Sequence, residues 1–105
     1  MENSRAGATP DVAHRLHVIR EYLAPGKSMR QFCADQGFGY TNWHNYERGF
    51  DVPKNTGMRI VDLLPGLSLD WLYRGRPDGM AFDLVQGLRD AEKRLKGSVA
   101  TRDQA

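Results

Sequence analysis

Cysteine is nearly absent: among 105 residues there is one, Cys33. A single thiol excludes an internal disulfide framework and any metal site built on paired cysteines, and it is ordinary for a reducing compartment. Long apolar runs are missing as well. No stretch nears the ~18 residues needed to cross a bilayer, and residues 1–10 lack the apolar segment of a secretory signal. The expectation is a soluble, cytoplasmic protein with no membrane partner. Net charge is also close to missing, because 15 Lys and Arg face 13 Asp and Glu to leave +2. A sum that small speaks, on its face, against a polyanion as partner. Strand-like alternation, internal repeats and low-complexity tracts do not occur. The length suits one modest core, and the expectation is a single domain without a second one to sense an inducer.

The distribution of the charge says more than its sum. Residues 1–26 balance Arg5, Arg15 and Arg20 against Glu2, Asp11 and Glu21, and residues 60–105 balance seven cations against seven anions. The whole excess therefore sits in 27–59, where Lys27, Arg30, Arg48, Lys54 and Arg59 face Asp35, Glu47 and Asp51. Screening confines charge effects to about 8–10 Å in physiological salt, so a polyanion meets this local surplus rather than the global sum.

What the chain does have is helix punctuation. Residues 1–9 are small and polar and read as a disordered tail, and Thr9-Pro10-Asp11 then opens a helix over 10–23 carrying Ala13, Leu16, Ile19 and Leu23. Pro25-Gly26 stops it. Ser28 and Gln31 have the spacing of a capping box, which predicts a short second helix over 28–36 that buries Phe32 and Cys33 and ends at Gly37. A third helix over 40–47 follows, with Trp43, Tyr46 and Phe50 as its apolar edge. Met58, Ile60, Val61 and Leu64 predict a fourth over 54–64, and Ser68 caps a short fifth with Leu69, Leu72 and a partly buried Trp71. From Ala81 to Lys96, apolar residues recur at Ala81, Leu84, Leu88, Ala91 and Leu95, two heptads of a seam that either folds back on the domain or pairs across a dimer. Residues 98–105 read as a second disordered tail.

Ser28, Phe32, Cys33, Gly37, Phe38, Trp43, Tyr46, Glu47 and Gly49 together resemble the helix-turn-helix of the phage Cro/repressor, or XRE, family of transcription regulators. The later run Leu67-Ser68-Leu69-Asp70-Trp71-Leu72-Tyr73-Arg74-Gly75 looks like the fifth helix of that domain. The resemblance implies an all-α, five-helix, lambda-repressor-like DNA-binding domain over 10–76, with an additional C-terminal helix over 77–97. It places Tyr40, Thr41, Asn42, His44 and Asn45 at the base-reading positions. It also implies a homodimer on double-stranded DNA, repressing from a palindromic operator.

The residues support the same chemistry on their own. With Trp43 and Tyr46 inward, the third helix turns outward side chains that can enter a major groove: Asn pairs with adenine, and Thr offers a methyl or a hydroxyl. Lys27, Ser28, Met29, Arg30, Arg48, Lys54 and Asn55 are suited to the sugar-phosphate backbone, Met29 through its amide at a helix start. The family often has Gln where Met29 stands and Ser or Thr where Gly39 stands. Those departures, with the aromatics of the third helix, support an alternative: a protein-binding module on the same fold, an antitoxin or an antiactivator that sequesters a second regulatory protein. Other patterns have plainer explanations. His14 and His17 lack a second ligand pair, Cys33 is a packing thiol rather than a nucleophile, and Arg74-Gly75-Arg76-Pro77, although it spells a minor-groove hook, fits a helix end. No enzyme activity, metal or cofactor is expected.

Overall fold

Prolines and capping residues divide the chain into six helices, and no strand occurs among the described residues. The computed structural model describes the backbone of residues 2–104 and the side chains of residues 11–97. In chain order the helices are α1 (Glu2–Leu23), α2 (Met29–Gln36), α3 (Tyr40–Glu47), α4 (Lys54–Val61), α5 (Leu69–Arg74) and α6 (Phe82–Gln104). The expected interior breaks hold, but several boundaries differ. α1 begins at Glu2 and α6 runs to Gln104, so the segments expected as tails continue the helices in backbone, where each added residue extends an existing hydrogen-bond ladder. Their side chains, and residues 1 and 105 altogether, lie outside the described residues. α4 stops at Val61 rather than at 64. Its last turn tightens, with the amides of Leu63 and Leu64 donating to the carbonyls of Ile60 and Val61, because Pro65 disfavours helical geometry in the residue before it.

α1 is the hub. Leu16 and Ile19 on it are fully buried with Phe32 of α2, Trp43 of α3, Ile60 of α4 and Leu72 of α5, and α1 packs against α3, α5 and α6. The C-terminal seam is used within the chain: Leu84, Leu88 and Ala91 are buried and Leu95 packs partly against the same core. Ala81, at the head of that seam, is exposed because α6 starts one residue later. Two further apolar assignments need correction. Phe50 is 53% exposed, since the chain leaves α3 before Gly49 and the helical spacing from Trp43 no longer applies. Met58 is 50% exposed, since α4 turns Gly57 and Ile60 inward instead. The cause is Tyr73, whose ring occupies the place where a side chain at Gly57 would stand and whose hydroxyl donates to the Val52 carbonyl at 3.0 Å.

Candidate nucleic-acid interface

The segment with the charge surplus folds as α2 and α3, joined by a left-handed turn, and continues through a loop into α4, which carries Lys54 and Arg59. Ser28 begins α2, its hydroxyl accepting the Gln31 amide at 3.1 Å. The reciprocal half of the capping box is absent: the Gln31 side chain donates forward to Asp35 at 2.8 Å, and Lys27 reaches the same carboxylate at 3.1 Å. Those two hydrogen bonds, Gln31's first, hold the Asp35 carboxyl below its ordinary range. Gly37 closes α2 at φ 79°, a conformation other residues rarely adopt, and its amide donates to the Cys33 carbonyl. Gly39 then opens α3 with no side-chain cap.

The inner edge of α3 is fastened at one point. Trp43 is fully buried between Phe32 and Phe38, with ring centroids 4.9 and 5.0 Å away. Its indole N–H donates to Glu47 at 2.6 Å, and Glu47 also takes a two-pronged bond from Arg20 of α1, at 2.8 and 3.0 Å. Arg20 and Glu47 are only 15% and 9% exposed, so this pair works largely out of water. His17 of α1 lies partly buried beside it. Burial, aided by the Arg20 charge and opposed by the Glu47 carboxylate, holds its pKa below the ordinary histidine value.

The outer edge of α3 carries the five residues assigned to base reading. Thr41 and Asn42 are exposed, while Tyr40, His44 and Asn45 are half-buried. Tyr40 and His44 stack with centroids 5.8 Å apart and planes 19° from parallel, and the Arg30 guanidinium of α2 lies 4.1 Å over the Tyr40 ring. A cation, a phenol and an imidazole thus form one ladder along that edge. Arg48 donates to the Asn45 amide oxygen at 3.3 Å and lies near the Phe50 ring, so Asn45 has one polar group engaged within the protein, whereas the Asn42 side chain forms no such bond among the described residues.

The residues assigned to backbone contacts divide by how free they are. Ser28 is engaged as a cap and Lys27 is paired with Asp35. Met29, the first residue of α2, is half-buried with its side chain packed against the core, which leaves its amide as the polar group it can offer. Lys54 stands exposed at the first turn of α4 without an ion-pair partner among the described residues, and the Asn55 side chain accepts the Thr56 amide at 2.8 Å. Two arginines hold positions that their spacing in the sequence does not suggest. Arg59 donates to the Gly37 carbonyl at 2.9 Å and lies 4.4 Å over Phe38, and Arg15 donates to the Leu72 carbonyl at the end of α5. The exposed carbonyls that end every helix are the only sequence-level hint that such donors are needed.

Elsewhere the chemistry is plain. Cys33 is buried, and burial pushes its thiol above the ordinary value, as suits a packing residue. Gly75 closes α5 in the left-handed region with the Arg15 guanidinium nitrogen 2.7 Å from where its Cβ would be, which accounts for the glycine in Arg74-Gly75-Arg76-Pro77. No three of the His, Cys, Asp and Glu side chains gather into a group that could hold a metal ion, and no helix is long and apolar enough to cross a membrane, among the described residues. No family model, no curated protein and no solved structure matches the chain.

Proposed function

We propose that this protein is a sequence-specific DNA-binding regulator of the Cro/XRE type, with α1–α5 as a lambda-repressor-like domain and α6 as its extension. The observation that carries the reading is the two-sidedness of α3. Its inner edge is locked by Trp43, Glu47 and Arg20, while its outer edge holds Tyr40, Thr41, Asn42, His44 and Asn45 in the one segment with surplus positive charge. A helix so fixed can enter a major groove, which is about 12 Å wide, without first paying to order itself. Asn42 and Thr41 would read base edges, and Lys54, Arg30 and the α2 amide end would fix register on phosphates. Two copies would set α3 into successive major grooves about 34 Å apart and act as a repressor at a palindromic operator. Because Leu84, Leu88 and Ala91 are buried against the rest of the chain, the second copy would use another surface.

The test is fluorescence anisotropy on duplexes from the gene's own upstream region at several salt concentrations. Asn42→Ala is expected to lose about 1–3 kcal/mol of discrimination at one base pair, whereas Lys54→Ala weakens all duplexes and lowers the salt slope by about one. Unchanged binding in both variants would contradict the mechanism. The exposed Phe50 and Met58 favour one rival, a protein partner docking beside α3, and that reading predicts no duplex binding even at low salt.

A further inference from the structure

Arg59 is exposed on α4, yet its guanidinium is committed to the protein. One nitrogen donates to the Gly37 carbonyl at 2.9 Å, and the planar group covers the Phe38 ring at 4.4 Å. Phe38 in turn packs on Trp43, the buried anchor of α3. Gly37 has left the α2 ladder through its left-handed turn, so its carbonyl needs a donor from outside the helix. Only a planar fork can serve that oxygen and a ring face together, and lysine, a point charge on a flexible stem, would do one at a time.

Building on the DNA-binding reading above, we infer that Arg59 is a positioning residue which bolts the α2–α3 turn to α4, so that the outer edge of α3 and the Lys54–Asn55 end of α4 meet DNA as one rigid surface. It does this without touching phosphate. Of the five cations in 27–59, then, Arg59 acts through geometry while Lys54 acts through charge. That division has a consequence in salt dependence, because each phosphate neutralised adds about 0.9 to the slope of log K against log salt on duplex DNA.

The experiment measures Kd for a specific and a non-specific duplex at three salt concentrations, using the full chain as wild type, Arg59→Ala, Arg59→Lys and Lys54→Ala. Far-UV circular dichroism checks that each variant is folded at the assay temperature. Arg59→Ala is expected to weaken specific binding by about tenfold or more, as a loosened support for a recognition element does, with the slope unchanged and non-specific binding nearly intact. Arg59→Lys recovers part of the loss. A slope reduced by about one, as in Lys54→Ala, would make Arg59 a phosphate contact and overturn the inference. Wild-type affinity in a folded Arg59→Ala would overturn it too, leaving the DNA-binding reading standing. A wild-type chain that binds neither duplex overturns both.

Discussion

Glu47 is the residue on which the orientation of α3 depends most. It accepts from Trp43 within its own helix and from both prongs of Arg20 on α1, in a setting where neither partner is more than 15% exposed. Removing one partner of such a pair leaves the other charge without compensation, a cost of about 3–5 kcal/mol. Glu47→Ala is therefore expected to lower urea stability by that order. Glu47→Gln, which keeps an acceptor for the indole, should lose less, and equal stability of all three chains would show the pair to be idle. The core role of Trp43 is legible from the sequence, because Phe32 and Phe38 flank it across the turn and give its ring an apolar setting, whereas Phe50, placed on the same edge by spacing, lies beyond the end of α3. The Arg20 connection is not, since 27 residues separate the partners and charge in a sequence carries no direction. Nor does the sequence tell Asn42 from Asn45. Only side-chain geometry shows that Arg48 engages the second.

Among the elements, the interior helix stops and caps set by proline, glycine and serine are the most readable feature, and the outer ends of α1 and α6 and the faces of the shortest helices the least. Pro25-Gly26, Gly37 and Gly75 stop helices for local chemical reasons, and Ser28 and Ser68 cap them, the latter accepting the Trp71 amide at 3.0 Å. α4 shows where local reasoning fails. Its apolar letters suggest Met58 as an inward residue, but Tyr73 of α5 fills the space over Gly57 and rotates the buried face onto Gly57 and Ile60. A glycine inside a helix is normally a loss of about 0.8–1.0 kcal/mol against alanine, so Gly57→Ala would stabilise an isolated helix. Here the opposite is expected. The methyl would displace the Tyr73 hydroxyl from the Val52 carbonyl, and thermal melts should show Gly57→Ala below wild type. Pairing it with Tyr73→Phe should make the two losses less than additive, because both remove the same hydrogen bond.

At the scale of the whole molecule, α6 closes the structure by lying along α1. Besides its apolar seam, a hydrogen bond between His14 and Glu92 at 2.7 Å and an ion pair between Arg94 and Glu21 at 3.0 Å join them. The hydrogen bond from His14 outweighs partial burial, which pushes the other way, and with nearby positive charge it holds the Glu92 carboxyl below its ordinary value. A carboxyl depressed in the folded state adds stability above its unfolded pKa and loses it as pH falls through the folded one. The attachment of α6 should accordingly weaken in acid, below about pH 4.5. Because both side chains are more than a third exposed, the effect is small, within the 0–1 kcal/mol of exposed pairs. Hydrogen exchange of α6 amides from pH 6 to pH 3 should show it, and Glu92→Gln should flatten the trend; a parallel slope in that variant would assign it elsewhere. The heptad spacing of 81–96 predicts an apolar seam but not its partner, because pairing in cis or in trans depends on where α1 lies.

The same scale decides the central claim. A near-neutral chain concentrates its surplus charge on residues 27–59, which carry α2, α3 and most of α4, and α3 presents an outer polar edge whose inner side is locked into the core. The most direct measurement is selection from a pool of randomised DNA duplexes at physiological salt. The account predicts enrichment of one inverted-repeat sequence with half-sites about 10 base pairs apart, and loss of preference at one position of each half-site in Asn42→Ala. A pool that emerges as random as it entered, from a folded wild-type chain, would contradict it.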